Sequence, residues 1–370
     1  MEGVVCRMER ASYLVLENGK VFKGKGFGAE RDVIAEVVFT TGMTGYLETL
    51  TDRSYCGQIV VQTFPLIGNY GVIPEDFESE NFFPKAYIVR QWCEVPSNFR
   101  SQGDLNTFFN AQGIVGLCGI DTRALTRTIR ENGVMNGQIT SDPDSVDLEK
   151  IKSYRSVRGV EQVSSPSVVR RSVENPKRRV AFMDFGYKKN IIRELEKRNC
   201  EVIVCPHNTG AEEIMALQPD GIMLSNGPGN PTENVEAIEA LKTLLKKDIP
   251  IFGICLGHQL LALANGFKTE KLKYGHRGAS QPVKDLSSGR IYISSQNHGY
   301  AVINDSVDPD RATISFVNVN DNTNEGITYK NVNAFSVQFH PEARGGPRDT
   351  AWLFDNFMDM MEEGKKNAAQ

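Results

Sequence analysis

The second half of the chain alternates apolar strand patterns with helix patterns, and this alternation restricts the fold more than any other feature of the sequence. From Arg179 onward, each short apolar run is followed by residues with helical spacing. Strands that are separated by helices pair in parallel, and right-handed crossovers put the helices on both faces of the sheet. We therefore predict an α/β domain with a mostly parallel sheet over residues 178–366.

The individual elements of this domain can be assigned from the same pattern. Helices are predicted at Lys188–Arg198, Val235–Lys247 and His258–Ala264. Strands are predicted at Val180–Phe185, Val202–Cys205, Gly221–Leu224, Ile249–Ile254 and Ala334–Phe339. Ligands bind to such sheets at the carboxyl ends of the strands, so functional motifs are expected there.

The first part of the chain is richer in short strands and turns. Runs of Val, Ile, Thr and aromatic residues occur at Tyr13–Leu16, Val33–Phe39 and Ile59–Phe64, with glycines between them. One helix is predicted at Thr122–Arg130, because Asp121 is a suitable N-cap and Asn132-Gly133 can end it. Residues 1–140 are thus predicted to form a smaller β-rich α+β domain.

Between these two domains the composition changes. Residues 141–177 accumulate Ser, Pro, Arg and Asp, with a short helix pattern around Asp147–Tyr154. Charges in such a stretch usually face solvent, so we interpret it as a connecting segment.

The composition is that of a soluble globular protein. At 370 residues the chain is too long for one ordinary domain, so two or three cores are expected. Hydrophobic residues make up 40% and charged residues 24%, as in a soluble globular protein. Lys and Arg number 42 against 46 Asp and Glu, a formal net charge of −4. That charge gives no general attraction to polyphosphate, so nucleic acid is not an expected partner. No long apolar run is free of charge, and Met1–Arg10 is polar, so neither a membrane span nor a secretory signal is expected.

The seven cysteines are scattered, and none forms a C-x-x-C pair. They are Cys6, Cys56, Cys93, Cys118, Cys200, Cys205 and Cys255. An odd, dispersed set argues against a disulfide framework or a zinc site, so no metal is expected and a reducing, cytoplasmic compartment is the simplest interpretation. Most of these thiols are expected to be buried as small apolar groups.

Cys255 lies in a sequence that is typical of a nucleophile. Gly253-Ile254-Cys255-Leu256-Gly257 follows an apolar strand and precedes a helix, in the thiol form of the G-x-S-x-G elbow. Glycines are needed there because larger side chains would clash in so sharp a turn. A thiol at a helix N-terminus also feels the positive end of the helix dipole, which favours thiolate. The alternative is that Cys255 is a small buried residue at a strand–helix junction.

His340 and Glu342 supply the remaining groups for thiol catalysis. A thiolate that attacks an amide needs a base that later protonates the leaving nitrogen. His340-Pro341-Glu342 ends an apolar run, where the imidazole can reach the carboxyl edge of the sheet and the carboxylate can orient it. Taken alone, this tripeptide is more often an ordinary strand-ending turn. Together with the elbow it predicts a Cys-His-Glu triad.

A glycine turn provides a candidate oxyanion site. Ser225-Asn226-Gly227-Pro228-Gly229 follows the predicted strand Gly221–Leu224. Glycine lets a backbone N–H approach a ligand closely, and a donor here would complement the amide of Leu256.

These motifs together resemble the class I, triad-type glutamine amidotransferases. The stretches 255–262, 273–278 and 295–301 are similar to one branch of that family, the small subunit of carbamoyl-phosphate synthase. In the first half, 36–39, 41–46, 67–71 and 119–126 look like signatures of that subunit's N-terminal domain. Arg53 stands where the family usually has proline, Tyr300 where phenylalanine is common, and Gly345 where proline is often found.

The resemblance implies a reaction and a set of site residues. Cys255 would form a γ-glutamyl thioester, His340 would be the base, and Glu342 would orient it. Glutamine would be held by Ser54, Gly227, Gly229, Leu256, Gln259, Asn297, Gly299 and Tyr300. His276 and His298 are assigned structural hydrogen bonding, since the triad already has a base.

The resemblance also implies a partner. The chain lacks the phosphate-binding pattern G-x-x-x-x-G-K-[ST], so it carries no cofactor of its own in this interpretation. A large subunit would bind ATP and Mg²⁺, receive the ammonia in an enclosed path and make carbamoyl phosphate from bicarbonate for arginine or pyrimidine biosynthesis. The N-terminal domain would supply much of the docking surface in this heterodimer. Two alternatives stay open: another thiol hydrolase on the same fold, and a regulatory or scaffold subunit whose triad never assembles.

Overall fold

The computed structural model describes residues 10–368, with side chains through residue 364, and the chain divides into two compact units. The first unit contains the chain up to Leu50 together with Gly57–Phe77 and Asn81–Ser156. The second contains the chain from Val157 onward and two segments from the first half, Thr51–Cys56 and Glu78–Glu80. Cys6 and the first nine residues of the predicted domain 1–140 lie outside the described residues.

The helices and strands of the first part of the chain follow one another closely. They are β1 (Arg10–Leu16), β2 (Val21–Gly28), β3 (Val33–Thr40), α1 (Tyr46–Thr51), β4 (Gln58–Gln62), β5 (Leu66–Ile67), β6 (Ala86–Ile88), β7 (Gln91–Trp92), α2 (Leu105–Gln112), β8 (Val115–Cys118), α3 (Thr122–Asn132), β9 (Met135–Thr140) and α4 (Leu148–Ser153).

Seven of these strands close into a barrel in the order β1-β2-β8-β6-β4-β3-β9. The pairs β3–β4, β4–β6 and β6–β8 are parallel, and the others are antiparallel. Alternate residues such as Leu14, Val37 and Ile59 fill the interior and are fully buried. Closure leaves this sheet without open edges, which is the usual protection for short strands.

The helix α3 confirms the prediction made for it. The Asp121 carboxylate accepts a hydrogen bond from the Ala124 N–H at 2.9 Å, and Gly133 at φ 94° ends the helix. Leu125 and Ile129, one turn apart, are fully buried in the barrel's core cluster. The short helix predicted near Asp147–Tyr154 is likewise present as α4.

The second unit contains the longer elements. They are α5 (Gly159–Val163), β10 (Val169–Arg171), β11 (Arg178–Asp184), α6 (Lys189–Glu196), β12 (Cys200–Pro206), α7 (Ala211–Ala216), β13 (Gly221–Leu224), α8 (Val235–Leu244), β14 (Ile251–Ile254), α9 (Leu256–Ala264), β15 (Thr269–Asp285), β16 (Ile291–Val302), β17 (Ala312–Asn318), β18 (Asn324–Tyr329), β19 (Ala334–Val337) and α10 (Trp352–Ala368).

These strands form a ten-stranded sheet in the order β10-β12-β11-β13-β14-β19-β18-β17-β15-β16. Five strands that are adjacent in the sheet, β12, β11, β13, β14 and β19, pair in parallel, as the strand–helix alternation predicts. The remaining strands pair in antiparallel fashion: β10 at one edge and β18, β17, β15 and β16 at the other. The parallel core therefore continues into an antiparallel extension, to which no helical crossovers are attached.

Helices cover both faces of the parallel core. Residues of α7, α8 and α9, such as Ile214, Leu241 and Leu260, belong to one buried cluster. Residues of α6 and α10, such as Ile191 and Phe357, belong to the cluster on the other face. Strands with both faces covered are apolar throughout, which explains why the strand patterns of this half lack polar alternation.

The connecting segment 141–177 contains α4, α5 and the edge strand β10, so parts of it have regular structure. Among the described residues, Cys56, Cys200, Cys205 and Cys255 are buried, Cys93 and Cys118 are half-buried, and all six are free thiols. None of the helices in residues 10–368 has the length and apolar character needed to span a bilayer.

Candidate active site

The turn between β14 and α9 holds Cys255 in a strained backbone conformation. Cys255 has φ 54° and ψ −103°, a combination that side-chain-bearing residues rarely adopt. A Cβ at Gly253 would lie 2.8 Å from the Gly257 carbonyl carbon, and a Cβ at Gly257 would lie 2.5 Å from the Leu224 carbonyl oxygen. The two glycines of the elbow are thus required by close backbone packing, as the motif predicts.

The neighbouring strand β19 carries His340 toward the same edge of the sheet. The Cys255 N–H donates to the Val337 carbonyl at 2.9 Å, which ties the elbow to the end of β19. The His340 N–H donates to Ser295 on β16, also at 2.9 Å. The Cys255 thiol donates a long bond of 3.7 Å to the Asn297 carbonyl. Cys255, His340 and β16 therefore meet at the carboxyl end of the parallel core.

Glu342 orients the imidazole. Its Oε1 lies 2.7 Å from His340 Nδ1, and both side chains are fully buried. With Nδ1 directed at the carboxylate, Nε2 is the nitrogen left for proton transfer. That Nε2 has no hydrogen-bond partner among the described residues.

The charges around His340 favour its protonated form. Burial and the Lys188 ammonium both lower the pKa of the imidazole, but Glu342 and Cys255 outweigh them and raise the pKa to about 9. For Glu342, burial raises the pKa of the carboxyl, yet His340 and Lys188 hold it below its ordinary value. A protonated imidazole oriented by a carboxylate and facing a cysteine is the arrangement that nucleophilic thiol chemistry uses.

The glycine turn after β13 packs directly beside the elbow. A Cβ at Gly227 would lie 2.2 Å from the Phe185 carbonyl oxygen and 2.8 Å from Leu256 Cδ2. Gly229 has φ +89°, where glycine is favoured, and no atom would approach a Cβ there. The Leu256 N–H belongs to the first turn of α9, whose N–H groups have no acceptor within the helix. A negatively charged oxygen could be bound at this position.

Ser54 and Asn297, both predicted glutamine contacts, are buried and engaged in side-chain hydrogen bonds. Ser54 Oγ accepts from Asn226 Nδ2 at 2.9 Å. Asn297 Nδ2 donates to Asp52 Oδ2 at 3.0 Å. The two residues are 243 positions apart in the chain, yet both lie in the second unit, because Thr51–Cys56 is part of it.

Gln259 and Tyr300 meet through the main chain. Gln259 Nε2 donates to the Tyr300 carbonyl at 2.8 Å and to Gln338 Oε1 at 2.9 Å. His298 Nδ1 lies 2.7 Å from the same Tyr300 carbonyl. These contacts fix the backbone of Tyr300 rather than its ring, so the tyrosine in place of phenylalanine leaves them unchanged. A Cβ at Gly299, between His298 and Tyr300 in sequence, would lie 3.3 Å from a terminal nitrogen of Arg277, which would have to shift by a few tenths of an ångström.

Two charged residues at the site, Lys188 and Asp52, were not identified from the sequence. Lys188 Nζ lies 3.4 Å from Asp52 Oδ2 and 3.7 Å from Glu342 Oε1, and its side chain is 14% exposed. Burial lowers the pKa of this amine, but Asp52, Glu342 and Glu78 outweigh it and raise the pKa above its ordinary value. The only signal in the sequence was position: Lys188 follows β11 as the first residue of a predicted helix, at the edge where ligands bind.

Arg53, which replaces the proline usual in the family, has a well-defined place. Its NH1 donates to the Val163 carbonyl at 2.9 Å and lies 3.5 Å from the buried Asp184 carboxylate. The guanidinium stacks on the Tyr187 ring at 4.7 Å from the ring centroid. The loop conformation beside Ser54 is therefore held by side-chain contacts of Arg53.

One group of residues has the composition of a metal site. Ligand atoms of His276, His298 and Glu325 lie within 4.8 Å of one another. His276 Nε2, however, lies 2.9 Å from Asp321 Oδ2, and both nitrogens of His298 are in hydrogen-bond distance of oxygens. A metal ion would have to displace this network. Burial lowers the pKa of His276, but Asp321 and Glu325 outweigh it and raise the pKa to about 9, which suits an ion pair.

The comparisons with known proteins agree with this geometry. Residues 181–360 match the family model described as glutamine amidotransferase class-I, and residues 14–139 match that of the carbamoyl-phosphate synthase small chain, CPSase domain. Residues 181–360 of the second unit thus have the fold of a class-I glutamine amidotransferase.

The relatives extend this match to nearly the whole chain. A carbamoyl phosphate synthase pyrimidine-specific small chain of Halalkalibacterium halodurans is 51% identical over 358 residues, covering 96% of this chain and 98% of that relative. Carbamoyl phosphate synthase small chains of Bacillus cereus and Listeria innocua are 51% and 50% identical, and each alignment covers 96% of this chain and at least 98% of the relative. The chain belongs to the carbamoyl phosphate synthase small chain family.

Proposed function

We propose that this chain is the glutamine-hydrolysing subunit of a carbamoyl phosphate synthase, with Cys255 as its nucleophile. The observation that carries the proposal is the arrangement of Cys255 in a strained elbow with His340 and Glu342 on the adjoining strand end. The class-I amidotransferase match and the small-chain relatives support the choice of glutamine as substrate.

In the first half of the reaction, the Cys255 sulfur attacks the γ-carboxamide carbon of glutamine. His340 Nε2 holds the thiol proton and passes it to the departing nitrogen, so that ammonia leaves and a γ-glutamyl thioester remains. Glu342 keeps Nδ1 oriented and stabilises the imidazolium. The Leu256 N–H and the backbone at Gly227 stabilise the oxyanion.

In the second half, water attacks the thioester. His340 Nε2 takes a proton from the water, the carbon–oxygen bond forms and the carbon–sulfur bond breaks, giving glutamate and the free thiol. The balance of the two halves is glutamine plus water to glutamate plus ammonia. The chain's own groups supply every proton transfer, so we propose that it needs no cofactor.

Glutamine binding is proposed at the residues around the elbow. They are Ser54, Gly227, Gly229, Leu256, Gln259, Asn297, Gly299 and Tyr300. Backbone carbonyls and amides, with the hydroxyl and amide side chains, suit the α-amino and α-carboxylate groups of an amino acid. The hydrogen bonds from Gln259 and His298 that fix the Tyr300 carbonyl support this proposal, since a binding carbonyl must point in one direction.

The ammonia is proposed to pass to a large subunit, which the small-chain family implies. That subunit would hold ATP and Mg²⁺ and make carbamoyl phosphate from bicarbonate. The path between the subunits must exclude water, because ammonia would otherwise be protonated and lost. We propose the first unit of the chain as docking surface and the cytoplasm as location. One relative is named pyrimidine-specific, which supports pyrimidine biosynthesis as one use of the product.

The test is glutamate release from glutamine by the wild-type chain and by Cys255→Ser, with and without a cognate large subunit. We expect release by the wild type, faster turnover with the large subunit, and none from the variant. A glutamine analogue carrying a diazo-ketone should label Cys255 in the same samples. An inactive, unlabelled wild type in the presence of the large subunit would instead indicate a scaffold subunit, and activity on other amides in preference to glutamine would indicate a different hydrolase.

A further inference from the structure

The segment Thr51–Cys56, which we call the strap, comes from the first half of the sequence but is part of the second unit. It is anchored at several points. Arg53 donates a hydrogen bond to the Val163 carbonyl, and Thr51 Oγ1 accepts one from the Glu78 N–H at 2.8 Å. Asn226, in the glycine turn after β13, donates to Ser54 Oγ. The strap is thus held against the candidate active site by polar contacts.

Asp52 is the strap residue whose side-chain partners, Asn297 and Lys188, in turn contact triad residues. Its side chain is 4% exposed, and Oδ1 accepts from the Ser54 N–H at 2.9 Å, which fixes its direction. Oδ2 accepts from Asn297 Nδ2 at 3.0 Å and lies 3.4 Å from Lys188 Nζ. Burial raises the pKa of Asp52, but Lys188, His340 and the bonds from Asn297 and Ser54 hold it below its ordinary value.

The two partners of Asp52 lead to the two ends of the triad. Asn297 presents its carbonyl to the Cys255 thiol at 3.7 Å. Lys188 lies 3.7 Å from Glu342 Oε1, the same oxygen that faces His340 Nδ1. Removing the Asp52 charge would leave the buried Lys188 ammonium with Glu342 as its near partner at the site, in competition with His340. It would also leave the buried Asn297 amide without this acceptor, which is costly in a dry site.

We propose that Asp52 is a positioning residue for glutamine hydrolysis, holding Asn297 in place for substrate and keeping the Lys188 ammonium from drawing Glu342 away from His340. This inference rests on the proposed function. It adds a residue that does not touch the reacting atoms, and it makes the amidotransferase site dependent on a segment outside residues 157–370.

The experiment compares Asp52→Asn with the wild type in the complex with a cognate large subunit. Asp52→Asn keeps the volume and can still accept from the Ser54 N–H, so the strap stays anchored. Glu80→Gln is the matched control, because Glu80 is an exposed carboxylate of the same unit whose recorded ion-pair partner is Lys189. We expect the KM for glutamine to rise about tenfold or more in Asp52→Asn, because the variant loses one charge-assisted hydrogen bond. The KM should stay unchanged in Glu80→Gln.

A double-mutant cycle separates positioning from general damage. If Asp52 acts on substrate binding through Asn297, then adding Asp52→Asn to Asn297→Ala should raise KM by less than twofold further. A merely structural role would give additive rises in KM and a lowered melting temperature in both backgrounds. Movement of Glu342 toward Lys188 would instead lower kcat in both backgrounds without adding to the rise in KM. Thermal unfolding of each variant shows whether it is folded. Asp52→Glu retains the charge, so its KM for glutamine should lie between those of the wild type and Asp52→Asn.

The outcomes distinguish the inference from the proposed function. An active wild type with an unchanged KM in Asp52→Asn overturns the inference alone, and so do additive rises in KM in the cycle. A wild type that releases no glutamate overturns the proposed function, and the inference with it.

Discussion

His340 Nδ1 lies 2.7 Å from Glu342 Oε1, in a pair whose side chains are both shielded completely from solvent. The two residues are separated by Pro341, which fixes the turn after β19. The carboxylate therefore does two things at once: it sets the orientation of the ring, and its charge favours the protonated imidazole.

The first prediction concerns this pair. Glu342→Ala should lower kcat/KM for glutamine by about tenfold, because the ring loses its orientation and the imidazolium its nearest carboxylate. Glu342→Gln keeps an acceptor for the His340 Nδ1–H, so its kcat/KM should fall less than that of Glu342→Ala. His340→Ala should lose far more than either, since it removes the proton carrier. Steady-state glutamate release checks the order; equal losses in Glu342→Gln and His340→Ala would contradict the orienting role.

The same pair predicts a pH dependence of turnover. The pKa of His340 is raised to about 9, so the imidazolium persists through neutral pH and loses its proton as the pH rises through about 9. In Glu342→Gln the charge that raises this pKa is gone, and the alkaline decline of kcat/KM should move to lower pH. The measurement is a pH profile of both proteins, and coincident alkaline limbs would show that Glu342 does not set the protonation of His340.

A third prediction concerns the glycine turn. Gly227→Ala puts a Cβ where it would lie 2.2 Å from a backbone oxygen, so the turn must move away from the elbow. We expect kcat to fall about a hundredfold, the usual effect of a lost oxyanion donor, with a smaller change in KM. Gly210→Ala is the control, because its Cβ would meet Glu213 at an ordinary 3.4 Å. A normal kcat in Gly227→Ala would exclude this turn from oxyanion binding.

The fourth prediction concerns the Tyr300 carbonyl, which is fixed by Gln259 and His298. His298→Ala removes one of the two groups that fix it and should raise the KM for glutamine about tenfold while kcat changes little. Gln259→Ala should act in the same direction. If kcat falls and KM does not, His298 acts on the chemical step and the carbonyl is not its target.

The fifth prediction concerns stability rather than turnover. The pKa of His276 is raised from 6.5 to about 9 by Asp321 and Glu325, against burial. The stability this gives is fully present below pH 6.5 and is lost as the pH rises through about 9. His276→Gln should therefore lower the free energy of unfolding by about 3 kcal/mol near pH 6, and by much less near pH 10. Urea unfolding at both pH values checks this; an equal loss at both would point to packing instead.

Much of the fold follows from local patterns. The parallel strands β11, β12, β13 and β14 and the helix α3 lie where short-range signals placed them, because apolar runs, caps and glycine turns act within a few residues. The antiparallel extension from β15 to β18 had no such signal. Its strands mix polar and apolar residues, and their pairing is decided by neighbours far away in the chain.

The candidate site divides in the same way. The elbow at Cys255 and the His340-Pro341-Glu342 turn are local motifs whose chemistry is evident from residue type and spacing. Asp52 and Lys188 carry no such motif, since an aspartate in a turn and a lysine before a helix are ordinary. They belong to the site because the fold brings them close to it. Asp52 and Asn297 are 245 positions apart in the chain, yet Asp52 Oδ2 lies 3.0 Å from Asn297 Nδ2.

The sequence by itself determined the class of fold and predicted the nucleophile and its base, because these depend on steric and chemical demands that single short segments satisfy. Only the tertiary structure decided that the strap belongs to the second unit and that a largely buried lysine lies between Asp52 and Glu342. The physical reason is that burial and charge pairing depend on the whole packed arrangement, and no short segment records which distant groups will share one dry site.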